Sequence, residues 1–337
     1  MESMWQIEIL ILQFLQTTFS SLTGLFSGIT TLGSEEFFML IMPALYWSID
    51  STIGFRTAVI LLLSSGFNGF FKLMLHNPRP FWYSSLITAQ SSETSFGMPS
   101  GHAMNTIAVW GLMAAQFKKK WLTIVSVVVI ILVGFSRLVL GMHFISDVVS
   151  GWLLGGILLF LFIRLEPAVT SRLKKMTLAQ HLGLAIATSL GLIAICYIPL
   201  LFMQGWQMPA QWVENARLSP LSALPDPFDQ SGVFTGAGIW LGFCVGAAWI
   251  HSRGGYSAKG SGTQLFVRYL IGVIGIAVLW FGLGQILPHT TDALGMGFRY
   301  MRYTVVGIWI SGAAPALFIK MKLTQPVESP FDKPASE

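Results

Sequence analysis

Three short runs in the first half of the chain carry side chains suited to holding and attacking a phosphoryl group. They are Lys72 with Arg79-Pro80, then Pro99-Ser100-Gly101-His102, then Ser136-Arg137 with His143 and Asp147. Lys72, Arg79 and Arg137 would together draw an anion into one pocket. Pro99 and Gly101 let a turn feed a helix whose first N–H groups face outward, which makes a phosphate seat around Ser100. His143 and Asp147 stand four apart and share one helical face. Asp147 can then accept the proton on one imidazole nitrogen and leave the other free as a nucleophile.

Each run alone also has a plainer reading. Lys72 can snorkel to a membrane interface with Arg79 an ordinary loop residue. Ser100 can be an N-cap beside an interfacial His102, and His143 with Asp147 can be a satisfied helical pair. A metal held by His102, His143 and Asp147 is a further alternative. Three cations in the same pocket would repel a metal and attract phosphate, so no metal or other cofactor is expected.

The elements that must position these residues are membrane helices. Hydrophobic residues make up 53% of the 337 and charged residues 10%. The mean hydropathy is +0.66, far outside the range of soluble domains. Repeated apolar stretches of about twenty residues point to helices, because lipid forces each backbone polar group to be satisfied within its own segment. The net charge of +5 comes from basic residues scattered among short loops, which fits membrane topology and not nucleic acid binding. Cys196 and Cys244 lie in apolar runs, so no disulfide framework is expected. Met1-Glu2 opens without a basic region, and no removable signal peptide is expected.

The expected fold is all-α, a polytopic transmembrane helix bundle of about nine spans. These fall near 35–50, 55–75, 101–117, 121–140, 146–165, 178–203, 233–251, 266–287 and 302–320. Residues 1–34 form an N-terminal segment, interfacial or half-inserted, in which Trp5, Ile9 and Leu12 recur at helical spacing with Gln6, Glu8, Gln13 and Gln16 between. Residues 35–165 are the expected catalytic core and 166–322 carry additional helices. Loop 204–232, with Pro209, Pro220, Pro225 and Pro227, reads as a lid or as a plain interfacial connection. Residues 323–337 read as a disordered cytoplasmic tail. Arg56, Lys118 to Lys120, Arg164, Arg172, Lys174, Lys175, Arg253, Lys259, Arg268, Lys320 and Lys322 put their connections in the cytoplasm. The motif-bearing loops then face the extracytoplasmic side.

Taken together, the three runs resemble the signature of the type-2 phosphatidic acid phosphatase family: Lys, six residues, Arg-Pro; Pro-Ser-Gly-His; Ser-Arg, five residues, His, three residues, Asp. Every named position is filled between Lys72 and Asp147. The resemblance implies an integral membrane phosphatase in which His143 attacks phosphorus and forms a phosphohistidine while Asp147 orients it. His102 would protonate the leaving oxygen and then activate water. Lys72, Arg79, Ser100, Gly101 and Arg137 would hold the non-bridging oxygens. Such chemistry needs positioning and charge neutralisation and no metal.

The expected substrate is a phosphorylated lipid of the phosphatidic acid or polyprenyl pyrophosphate type, with membrane lipids as surroundings. Phe81, Trp82, Tyr83 and Phe96 would suit acyl chains, or would form an ordinary aromatic belt. The alternative is a small soluble phosphomonoester, because the layout of spans and the run Pro99 to Met104 are similar to glucose-6-phosphatase. A sugar phosphate would need hydroxyl-binding groups, for which Asn68, His76, Asn77 and Asn105 are candidates. A non-catalytic phosphate- or lipid-binding membrane protein and a vanadium haloperoxidase are the remaining alternatives.

Overall fold

The computed structural model describes residues 2–288 and 290–326, and among them no strand forms. The helices are α1 (Glu2–Thr18), α2 (Thr23–Thr30), α3 (Glu35–Ser48), α4 (Ser51–Leu75), α5 (Pro80–Tyr83), α6 (Gly101–Phe117), α7 (Lys120–Val139) and α8 (Ile145–Leu173). They continue as α9 (Leu178–Phe202), α10 (Ala210–Arg217), α11 (Ser231–His251), α12 (Gly262–Ile286), α13 (Ala293–Ile308) and α14 (Ala314–Lys320). The all-helical membrane fold expected from composition is therefore what the chain adopts.

All nine expected segments fall on helices. Seven helices, among the described residues, are long and apolar enough to cross a membrane, or eight if the bent pair Ser3–Thr18 and Ser20–Gly33 counts as one. The other two expected segments are shorter helices, α6 with the bounds 101–117 read from the sequence. Helix α3 has 14 residues with Pro43 inside it. Helix α6 has 17, because Pro99 precedes it and Lys118 ends it in a left-handed turn at φ 50°. That length sits at the lower edge of a bilayer crossing.

One compact unit comprises residues 1–38, 60–165 and 194–229. Its main apolar cluster lies directly behind the motif loops and includes Trp5, Ile9, Leu12, Phe81, Trp82, Phe96, Met142 and Phe144. The expected stripe of Trp5, Ile9 and Leu12 thus faces protein, while Ile7, Leu10, Ile11 and Phe14 on the other side of α1 stay exposed. Loop 204–232 belongs to the same unit up to Asp229. It braces the motif loop twice: from α10, Asn215 Nδ2 donates to the Trp82 carbonyl at 2.9 Å, and beyond α10, Asp226 N donates to that of Thr94 at 3.0 Å. Trp206, Trp212 and Phe228 pack edge-on or tilted against Trp82 and Phe96.

A second unit comprises residues 39–59, 166–193 and 230–326 of the described chain. Within it, α11 meets α13 along Gly238, Gly242 and Gly246, where an added Cβ would collide with the facing helix. Pro315 cannot return a hydrogen bond to Ser311, four residues back. The backbone loosens there into a π turn at Trp309–Ala313. The Tyr46 hydroxyl satisfies the Ser311 carbonyl at 3.0 Å. Arg268, fully buried, donates to the carbonyls of Trp47, Ala258, Lys259 and Leu323, so it acts as a clamp and not as a surface charge. That clamp orders the chain through Leu323; the expected tail from 327 onward lies outside the described residues.

Candidate active site

Proline sets the first cation. Pro80 opens α5 at its first position and forces Arg79 into extended backbone, φ −86° and ψ 158°. The fully buried Arg79 side chain therefore turns inward, where Nε donates to the Ser95 carbonyl at 2.6 Å and Nη1 to that of Met142 at 3.2 Å. Lys72, in the last turn of α4, donates to the Ser95 hydroxyl at 2.7 Å. Arg137, in the last turn of α7, donates to Thr30 Oγ1 at 3.1 Å, while its Nε and Nη2 are buried without a hydrogen-bond partner. Three cations thus come together from separate elements.

Ser100 precedes α6 in extended backbone, yet its side chain does not cap the helix. Its N–H donates to the Asp147 carbonyl at 2.9 Å, and its buried hydroxyl has no partner. The plain N-cap reading is thereby excluded, and the hydroxyl and first N–H groups of α6 remain to meet an anion. Gly101 lies against Asn68, whose Nδ2 donates to the Pro99 carbonyl at 3.1 Å and so fixes the turn. His102 follows on the first turn of α6, half-buried.

His143 and Asp147 make the pair expected from their spacing. Nδ1 lies 3.2 Å from Asp147 Oδ2, which also accepts from Phe144 N at 3.0 Å. The other ring nitrogen, Nε2, lies 3.4 Å from Arg79 Nη1. A guanidinium can only donate, so Nε2 carries the lone pair and Nδ1 the proton that goes to Asp147. The lone pair faces Arg79. Burial, then the charges of Arg79, Arg137 and Lys72, hold the His143 imidazole well below its usual value, so it is neutral at pH 7.

All eight expected residues, Lys72, Arg79, Ser100, Gly101, His102, Arg137, His143 and Asp147, lie in the first unit. Two neighbours were not expected. Ser95 joins Lys72 to Arg79, its hydroxyl also accepting from Arg79 Nη2 at 3.1 Å. Glu93 places Oε2 3.2 Å from Arg79 and Oε1 3.7 Å from Arg137. Burial opposes its ionisation, but Arg79, Lys72 and Arg137 prevail and hold its carboxyl down to about 2. The signal for it was present: Glu93 is the only acidic residue between Lys72 and Asp147.

The four candidates for binding sugar hydroxyls are engaged within the protein. Asn68 holds the Pro99 turn, Asn77 Nδ2 reaches Met98 sulfur at 3.0 Å, and Asn105 accepts from Ser64 at 2.6 Å. His76 bonds the Met74 carbonyl at 3.2 Å, with its ring edge-on to Phe96 and Trp206. Phe81, Trp82 and Phe96 are fully buried, which makes them core and neither an acyl gate nor a surface belt.

Comparison with known proteins agrees with the geometry. A model of the PAP2 superfamily matches residues 54–171, and a model described as PAP2 superfamily phosphatase, transmembrane extension, matches 234–326. Phosphatidylglycerophosphatase B of Bacillus subtilis is 30% identical over 153 residues, covering 42% of this chain and 73% of that one. Human glucose-6-phosphatase 3 is 31% identical over 183 residues, 47% of this chain; the match spans about half of the human protein, 53%. Undecaprenyl-diphosphatase of Sulfolobus acidocaldarius is 29% identical over 161 residues, covering 46% and 75%.

Proposed function

Since the chain belongs to the PAP2 superfamily of membrane phosphatases, we propose that it hydrolyses a lipid phosphate monoester or pyrophosphate through a phosphohistidine. The observation that carries this is the gathering of Lys72, Arg79 and Arg137 around Ser95 and Glu93, beside a His143 whose Nε2 faces Arg79 and whose Nδ1 is paired with Asp147, with the unpartnered Ser100 hydroxyl on the turn bonded to the Asp147 carbonyl.

His143 Nε2 attacks phosphorus as the bond to the leaving oxygen breaks, and Asp147 holds the Nδ1 proton of the cation that forms. His102 gives its proton to the leaving oxygen, then takes one from water as that water attacks the phosphohistidine and frees His143. The three cations, the Ser100 hydroxyl and the α6 N–H groups, beginning at Gly101, neutralise the charge that develops on the non-bridging oxygens. The step requires no metal.

Two of the relatives act on lipid phosphates by their names, and Asn68, His76, Asn77 and Asn105 are committed to protein contacts, so the site offers few groups for sugar hydroxyls. The likeness to glucose-6-phosphatase 3 supports a sugar phosphate as the second reading. Basic residues on the opposite loops support an extracytoplasmic site, with catalysis in residues 35–165 and added helices in 166–322. Purified protein in detergent should release phosphate from phosphatidic acid or a polyprenyl pyrophosphate without added divalent metal, and His143→Ala should abolish it. Turnover of glucose 6-phosphate alone would transfer the assignment to the second reading. Absence of a labelled phosphoenzyme on rapid quench would argue for a binding protein, and vanadate-dependent bromide oxidation for a haloperoxidase.

A further inference from the structure

Helix α1 reaches the site from the far end of the sequence. Glu8 is 7% exposed in a helix whose other face is apolar, and both its oxygens are used. Oε1 accepts from the Ser146 backbone N–H at 3.2 Å and Oε2 from the Ser146 hydroxyl at 3.2 Å. Ser146 is the second residue of α8, immediately before Asp147. The Glu8 carboxylate thus caps the helix that carries the orienting acid, satisfying an N–H that has no partner within α8 and meeting the positive end of its dipole.

Three further contacts make α1 part of the catalytic loops. The Trp5 ring stacks on Phe144, the residue after His143, with centroids 6.0 Å apart and planes at 18°. It also meets Tyr83 edge-on at 5.3 Å. Gln16 Nε2 donates to the Thr88 carbonyl at 2.7 Å and Gln16 Oε1 accepts from Thr88 N at 3.2 Å, pinning the loop that leads to Glu93 and Ser95. A membrane anchor would need none of these bonds. Burying a carboxylate is costly unless its hydrogen bonds are made, and here they are made to the start of α8.

We infer that Glu8 is a positioning residue for the phosphatase reaction, fixing the start of α8 so that Asp147 stays behind His143. This rests on the phosphohistidine reading above. Glu8 touches neither substrate nor the reacting atoms, so its loss acts on the chemical step and leaves the cations that bind phosphate in place.

The test compares wild type with Glu8→Ala, Glu8→Gln and Ser146→Ala, all in detergent, by kcat, KM and the single-turnover rate of phosphoenzyme formation. Glu8→Ala should lower kcat and the phosphorylation rate by about 10- to 100-fold, on the scale of misplacing a catalytic group, with KM within about twofold of wild type. Glu8→Gln, whose amide oxygen can accept the Ser146 N–H while its NH2 donates to the hydroxyl, should recover most of kcat. Ser146→Ala keeps the backbone donor and should fall between, and it removes so little volume that it reports even if Glu8→Ala does not fold. Wild-type kcat in both Glu8→Ala and Ser146→Ala, or a Glu8→Gln no better than Glu8→Ala, would overturn the inference. A wild-type protein that releases no phosphate from any substrate would sink the phosphatase reading and this inference together, whereas an active wild type with unimpaired variants sinks this inference alone.

Discussion

Glu93 Oε2 lies 3.2 Å from Arg79 Nη2, so a guanidinium proposed to hold phosphate already has a carboxylate beside it. Its Oε1 is also 3.7 Å from Arg137, whose Nη2 makes no hydrogen bond. If Arg79 and Arg137 hold phosphate as proposed, substrate oxygens compete with Glu93 for both guanidinium groups. Glu93→Gln keeps the shape and removes the charge. Inorganic phosphate and vanadate should then inhibit about tenfold more tightly, a change of about 1.4 kcal/mol. Inhibition constants in the two proteins decide it, and unchanged or weaker inhibition would mean that Glu93 orients the arginines instead of competing with substrate.

The pH dependence follows from the same charges. His143 is held well below its usual value, first by burial and then by Arg79, Arg137 and Lys72. The free enzyme therefore keeps His143, the proposed nucleophile, neutral as pH falls through about 6.5, the ordinary histidine value. The acid limb of kcat/KM should lie clearly below that value. Stability moves the opposite way: the unfolded chain binds a proton at His143 near pH 6.5 and the folded one does not, so stability falls as pH drops below it. Glu93 adds to the loss lower down. Its folded carboxyl is held at about 2, so its contribution is full above about 4.3, the unfolded value, and disappears as pH falls toward 2. Melting temperatures and kcat/KM from pH 8 to 4 check both signs, and a kinetic limb at 6.5 would contradict the neutral, buried His143.

Much of the site was legible because its chemistry depends on residue type at short spacing. Pro80 beside Arg79, Ser100 before α6, and Asp147 one turn from His143 are local relations, and a pattern of spacing captures them. Sequence spacing shows Glu8 only as a polar residue on an interfacial or half-inserted helix, because its partner Ser146 is 138 positions away and no local rule pairs them. The aromatics near the site gave the same difficulty: hydropathy cannot distinguish a tryptophan facing lipid from Trp82, which is enclosed by Trp212 and Phe96. Composition identified membrane helices but blurred their ends. α6 ends at Phe117 as its sequence predicts, whereas α8 runs on past the expected 165 to Leu173 through Pro167.

Gly97 should tolerate no side chain. A Cβ there would lie 2.6 Å from the Pro78 carbonyl and 2.9 Å from Asp147 Oδ2, the oxygen that holds His143. One neighbour is backbone and cannot withdraw, so Gly97→Ala must push the carboxylate or the loop. Overpacking of this kind costs about 1–3 kcal/mol. The variant should melt several degrees lower and lose roughly tenfold or more in kcat, with KM less affected. Denaturation in detergent and steady-state kinetics measure the two effects, and a wild-type kcat would show that Asp147 does not need its present place.

The orientation in the membrane can be tested without reference to activity. Ser91 lies in the loop between α5 and α6, two residues before Glu93, and is partly exposed. Lys119 lies between α6 and α7, exposed, in the run Lys118 to Lys120. One helix, α6, separates the two loops, so if it crosses the bilayer they lie on opposite sides. Basic loops are retained in the cytoplasm, so Lys119 is expected inside and the loop carrying Ser91 outside. A cysteine at Ser91 should therefore react with a membrane-impermeant thiol reagent added to intact cells, and one at Lys119 should react only after permeabilisation. Native Cys196 is buried and Cys244 sits within α11, so both should give little background. The reverse labelling pattern would put the site in the cytoplasm, and labelling of both positions in intact cells would mean that the 17 residues of α6 do not span.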